Sequence, residues 1–207
     1  MVALRFLERE NTFWDQVIFS DEATFELLPS KRSQKVYRRD GEEYETKNLV
    51  KTKKFGGGKL LVWGSISARG TGNLVFLSET INAGRYINIL ANNLFQSAEK
   101  MGLDAFTFQQ DGASCHSARS TMSWLERKGV DVLDWAPQSP DMNPIEHVWA
   151  HIKRELANYA FNDLVEMRTS IQEIWDRIDP VMCYELVSSM PRRAQACYDA
   201  RGGSTKY

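Results

Sequence analysis

The stretch from residue 108 to residue 149, FQQDGASCHSA followed after a helix-like segment by WAPQSPDMNPIEHVW, constrains the chain most. It opens on a short apolar and aromatic run that ends in Asp111, and it closes on Glu146 just inside a helix start, with 34 residues between the two acids. Pro137, Pro140 and Pro144 forbid regular structure until that helix begins, because proline has no amide hydrogen and its ring clashes with a preceding helical turn. Asn143 suits the N-cap and Pro144 the first helical position. Ile145, Val148, Trp149, Ile152 and Leu156 then share one face, and at ~100° per residue Glu146 falls on its flank. A third acid, Asp21, ends the apolar run Val17-Ile18-Phe19-Ser20, which predicts a buried strand with the carboxylate at its end. Taken singly, each acid has an ordinary explanation. Asp21 and Asp111 suit strand-terminating turns, and Glu146 stands where a glutamate closes a capping box on Asn143. Taken together, acids at two strand ends and one helix start are what hard divalent cations require: oxygen donors on rigid elements.

The rest of the chain predicts the scaffold for such a site. Residues 3–10 read as the end of a helix. Residues 60–67 (LLVWGSIS) and 73–77 read as strands around a turn at Arg69-Gly70-Thr71-Gly72. Residues 83–101 show helical apolar spacing, stopped by Gly102. Residues 106–110 read as a short strand, 117–128 as a helix stopped by Gly129, and Val130, Val132 and Leu133 as another strand. Helices over 164–178 and 181–200 complete the chain. Residues 29–59 are polar, charged and glycine-rich, with a hairpin fragment at 35–38, and a loop insertion of that length in a compact domain is usually functional. The order strand, loop, strands, helix, strand, helix, strand, helices predicts one α/β domain over residues 1–207, a mixed sheet flanked by helices.

Composition narrows the partners. No run approaches the ~18 to 20 apolar residues of a membrane span, and charges near the N-terminus argue against a secretion signal. Three cysteines with no CxxC pair suit reduced thiols in the cytosol or nucleus. The net charge of −1 lacks the basic excess of a protein built only for DNA affinity, so nucleic-acid contact has to come from a local patch. Arg38, Arg39, Lys47, Lys51, Lys53, Lys54 and Lys59 form the best one; they suit backbone phosphates, or simply a solvated face. His116 suits either a phosphate contact beside Asp111 or a plain loop-to-helix position. His147 and His151 have a zinc-compatible spacing but no further ligands, so a solvated face is expected. Gly56-Gly57-Gly58 lacks the Lys-Ser/Thr pair of a phosphate-binding loop, so no nucleotide cofactor is expected. Trp63, Trp124, Trp135, Trp149 and Trp175 are expected in the core.

The strings WDQVIFSDEATFEL, GGGKLLVWGSIS, FQQDGASCHSA, WAPQSPDMNPIEHVWAHIKREL and SMPRR, with the final TKY, resemble the catalytic domain of Tc/mariner transposases along nearly the whole chain. The resemblance implies an RNase H-like fold and an Asp-Asp-Glu metal triad, which falls on Asp21, Asp111 and Glu146. It implies two Mg2+ or Mn2+ ions, cleavage of DNA at transposon ends, and transfer of the freed 3′ hydroxyl to target DNA, typically at TA. It further implies work in the nucleus, a homodimer assembled on DNA, and a clamp-like loop over residues 29–59 that contacts DNA and the partner subunit. The helix-turn-helix DNA-binding region that the family carries N-terminally has no counterpart in these residues, so sequence-specific end recognition is expected to lie elsewhere. Two other functions stay open: a domesticated, non-catalytic scaffold, and a nuclease acting on RNA hybrids. Uptake of manganese at one site separates a scaffold from an enzyme.

Overall fold

The computed structural model describes all residues except 1, 8, 28–57, 79, 137, 138, 202, 204, 206 and 207. After two short helices, α1 (Val2–Leu7) and α2 (Asn11–Trp14), the chain enters the central strand β1 (Val17–Glu26). It returns through β2 (Lys59–Ser67) and β3 (Gly70–Leu77), crosses the sheet in helix α3 (Ala83–Lys100), and adds β4 (Thr107–Gln109), α4 (Arg119–Arg127) and β5 (Asp131–Val132). A 3-10 turn (Pro140–Met142) leads into α5 (Ile145–Leu156), then α6 (Leu164–Asp176), α7 (Pro180–Ser188) and α8 (Met190–Asp199). The five strands lie in the order β3-β2-β1-β4-β5. The first three pair antiparallel, and β4 and β5 join parallel to β1. This is the expected mixed sheet.

Successive side chains on a strand point to opposite faces, and the two faces of this sheet have separate cores. On one, Val17, Phe19, Ala23 and Phe25 of β1 pack with Val62 and Ile66 of β2 against Ile145, Val148, Trp149 and Ile152 of α5 and the buried stripes of α6, α7 and α8. On the other, Ile18, Trp63 and Phe108 pack against Tyr86, Leu90 and Leu94 of α3 and Leu125 of α4. Trp63, Trp149 and Trp175 are buried as expected, Trp124 and Trp135 are half-buried, and Trp14 joins the core as well.

Three expectations need correction. Asp21 does not end its strand. Residues 22–26 continue as β1, pairing from Glu22↔Trp63 to Glu26↔Lys59, with Ala23 and Phe25 buried and Thr24 and Glu26 exposed. The polar half of the strand was hidden behind its uniformly apolar first half. The turn after β2 is tighter than read, and β3 begins at Gly70, whose φ of 129° suits a residue without Cβ. Residues 181–200 are two helices rather than one, broken near Ser189. Pro191 has no amide hydrogen to give to Val187, so the helix cannot run straight through. By contrast, Gly102 and Gly129 stop α3 and α4 in the left-handed conformation, as their positions suggested.

The insertion read over 29–59 leaves and rejoins the sheet at one place. The Leu27 amide donates to the Gly58 carbonyl at 2.8 Å, directly beyond the Glu26↔Lys59 pair. The hairpin fragment at 35–38 lies outside the described residues.

Candidate active site

The parallel pairing of β1 with β4 brings two of the acids near one another. Phe19 is registered with Gln109. Asp21 and Asp111 each lie two residues further on, Asp21 within β1 and Asp111 in the loop just past the end of β4, and the Asp111 charge is felt at Asp21. Ser20 secures this end: its hydroxyl donates to the Gln109 carbonyl at 2.9 Å, and its amide meets the Gln109 side-chain oxygen at 3.3 Å.

Glu146 is brought in by α5. Asn143 is buried, and its side-chain amide donates to the Ser20 carbonyl at 3.2 Å, tying the start of α5 to the residue before Asp21. The Asn143 side-chain oxygen also accepts from the Ile145 amide at 3.4 Å and so holds the first residue of α5, which starts one position later than expected, with Pro144 just before it. The capping box does not form. The Asn143 amide donates to the Pro140 carbonyl at 2.9 Å, which leaves the Glu146 carboxylate uncommitted to the helix end. One turn later, Trp149 stacks on Trp175 with ring centroids 5.2 Å apart. Both indoles lie against Gly64, the cross-strand partner of Asp21, where a Cβ would come within 2.7 Å of Trp149 and 2.8 Å of Trp175. The glycine lets the helix settle onto the sheet beside the acid.

The electrostatics are those of an anionic cluster. Burial, then the charge of Glu146, then those of Glu22 and Asp111 push the Asp21 carboxyl up to about 8, against one lowering backbone hydrogen bond. Asp111 behaves oppositely. A hydrogen bond from His116 holds its carboxyl below the usual range despite partial burial. His116 is not turned outward to a phosphate, as one of its two readings had it. It is buried at 3% exposure, with Nδ1 2.5 Å from an Asp111 oxygen and Nε2 3.4 Å from a Glu22 oxygen. Burial works against charge on the ring, but the Asp111 hydrogen bond and the Glu22 carboxylate outweigh it and push the imidazole up to about 10. Among the described residues, no three His, Cys, Asp or Glu side chains are already gathered as they would be around an ion. In this arrangement the Asp111 carboxylate is drawn toward His116. The donor set nevertheless fits a hard divalent cation: Asp21 and Glu146 repel each other, carboxylate oxygens are the donors such ions prefer, and Asp111 lies just past the end of the adjacent strand.

Of the remaining candidates, Lys59 is exposed at the start of β2, while Arg38, Arg39, Lys47, Lys51, Lys53 and Lys54 lie outside the described residues. His147 is half-buried, and its Nδ1 lies 3.3 Å from the Arg193 guanidinium instead of facing solvent. Two residues were missed. Nothing marks out Glu22 while the strand is taken to stop at Asp21; the longer strand sends the two side chains to opposite faces. Arg193, within the SMPRR string, is 1% exposed; it donates to the Asp141 carbonyl at 2.7 Å and to the Ser189 hydroxyl at 2.8 Å, fastening α8 to the turn that precedes α5.

The sequence and the fold define the class: the chain belongs to the DDE superfamily endonuclease family, which matches it over residues 16–168. Within that class its similarity is to transposases. It is 35% identical to the Tc1 transposase of Caenorhabditis elegans over 94% of this chain and 71% of that protein. It is 30% identical to the Tc3 transposase of the same species, over 95% and 59%. The crystal structure of the catalytic domain of Mos1 mariner transposase superposes with a TM-score of 0.75 over 99% of this chain and 92% of that one, at 21% identity. A Mos1 paired-end complex with the left transposon end gives a TM-score of 0.82 at 23% identity, and there the chain spans 61% of the Mos1 transposase. These likenesses establish the RNase H-like architecture. No helix among the described residues is long and apolar enough to cross a membrane.

Proposed function

We propose that this chain is the catalytic domain of a DNA transposase, which hydrolyses phosphodiester bonds at transposon ends and transfers the resulting 3′ hydroxyl to target DNA. The observation that supports this reading is the Phe19↔Gln109 register of β1 and β4, with Asp21 and Asp111 each two residues further on, together with the Asn143 bond to the Ser20 carbonyl just before α5. Asp21, Asp111 and Glu146 would hold Mg2+ or Mn2+, two ions in the working enzyme. Bound there, such cations supply charge stabilisation to the attacking and leaving oxygens of an in-line displacement. The protein's own contribution is placement. Asp21 sits on the central strand, Glu146 on a helix seated by Trp149 against Gly64, and Asp111 in the loop just after β4, so rigid elements would limit the movement of the donors.

The basic residues of the insertion, Arg38, Arg39, Lys47, Lys51, Lys53, Lys54 and Lys59, are proposed to contact DNA backbone. The insertion rejoins the sheet five residues beyond Asp21, or about 17 Å along the strand. Duplex DNA lying over the acids would pass near that point. The similarity to a transposase crystallised as a paired-end complex supports assembly as a homodimer on two transposon ends. Work on DNA would be done in the nucleus.

The test is Mn2+-dependent nicking of supercoiled plasmid by the purified chain and by its Glu146→Gln variant. The substitution preserves shape and removes one metal-binding charge. Cleavage is expected to fall at least ~10³-fold, with an unchanged unfolding curve. Undiminished metal-dependent cutting by the variant would refute the assignment.

A further inference from the structure

Asp111 has two carboxylate oxygens in different states. Oδ1 takes the His116 Nδ1 contact at 2.5 Å and the Ala113 amide at 3.0 Å. Its other oxygen carries no hydrogen bond among the described residues, and the side chain as a whole is half-exposed. His116 approaches from behind the sheet. Asp21 faces α5, whereas Glu22, the next residue of β1, faces the side covered by α3 and α4, where its carboxylate lies 3.4 Å from His116 Nε2. That Glu22 oxygen and His116 Nε2 are buried with no hydrogen-bond partner, and they lie 3.4 Å apart without hydrogen-bond alignment.

The ring is held on its remaining sides. Tyr86 packs against it with centroids 4.0 Å apart. The Gln110 amide donates to the His116 carbonyl at 3.2 Å, and the Tyr86 hydroxyl donates to the Gln110 oxygen at 2.9 Å. A histidine that merely fills core would not need a carboxylate at each ring nitrogen, and burying those polar groups is unfavourable unless they meet a partner.

We propose that His116 is the positioning residue for Asp111 and that Glu22 acts through it: the imidazole fixes one oxygen of Asp111 from the back of the sheet and leaves the other free for a divalent ion. Outer partners that orient metal ligands in this way commonly contribute 10- to 100-fold in metal affinity. The proposal rests on the metal-binding role given to Asp21, Asp111 and Glu146 above.

The experiment is Mn2+ titration of the purified chain, followed by calorimetry and by the electron paramagnetic resonance of free Mn2+, with unfolding in EDTA recorded in parallel. His116→Ala is expected to weaken Mn2+ binding by roughly 10- to 100-fold. His116→Asn, whose amide can still donate to Asp111, is expected to restore it to within a few-fold of the parent. Glu22→Ala is expected to weaken binding alone but to add nothing in the His116→Ala background, because its effect passes through the ring. Unchanged Mn2+ affinity in His116→Ala, even with a lowered melting temperature, would make His116 a packing residue and overturn the proposal. A full additional loss in the double variant would overturn the role of Glu22. Failure of the parent chain to take up Mn2+, or tight uptake by Asp21→Asn, would instead bring down the metal assignment and this proposal with it.

Discussion

Replacing Asp21 by Asn isolates the electrostatic cost of the acidic cluster. In the folded chain the carboxyl is pushed up to about 8 from 3.8, by burial first and then by Glu146, Glu22 and Asp111. Between those values the folded state binds a proton that the unfolded state has released. Stability therefore falls as pH rises from about 4 to about 8 and levels off above. From pH 5 to pH 8 the nominal loss is ~4 kcal/mol at 1.36 kcal/mol per unit. Water entry and the side chain's partial exposure reduce that to ~2 kcal/mol. At roughly 2 to 4 °C per kcal/mol for a chain of this size, the melting-temperature advantage of Asp21→Asn should be ~4 to 8 °C larger at pH 8 than at pH 5. The assay is scanning calorimetry of both proteins in EDTA at the two pH values. Added Mn2+ at pH 8 should then raise the melting temperature of the parent and leave that of Asp21→Asn unmoved. An advantage equal at both pH values, or one that shrinks at pH 8, would refute the account of Asp21 as a destabilised acid awaiting a cation.

Other perturbations test the scaffold. Asn143→Ala removes both the bond to the Ile145 amide and the tie to the Ser20 carbonyl, and should cost about 2 kcal/mol in urea unfolding while reducing nicking activity. Gly64→Ala drives a methyl into Trp149 and Trp175, and should cost about 1 to 3 kcal/mol, with cleavage falling further than stability because α5 carries Glu146. Asp163→Ala removes the cap that accepts from the Val165 and Glu166 amides; it should cost about 1 kcal/mol and leave Mn2+ affinity unchanged, a control for loss of stability alone.

Much of this was legible in the residues because the signals were local. The start of α5 is written in Asn143 and Pro144, the stops of α3 and α4 in Gly102 and Gly129, and the packing stripe of α5 in its apolar spacing. What was not legible depends on pairing between distant strands. The extension of β1 past Asp21 follows from its antiparallel partner β2, which lies 33 residues or more further along the chain. The inward turn of His116 follows from Glu22, which reaches it only across the sheet. The role of Gly64 depends on two tryptophans more than 80 residues away.

Whether three carboxylates serve one divalent site is tested most directly by diffraction from Mn2+-soaked crystals of this chain. Anomalous density is expected between Asp21 and Asp111, with oxygens of both about 2.1 Å from the ion and with Glu146 bound to it or to a second ion alongside. Anomalous density elsewhere on the molecule, or none at millimolar Mn2+ with all three side chains ordered, would contradict a shared site.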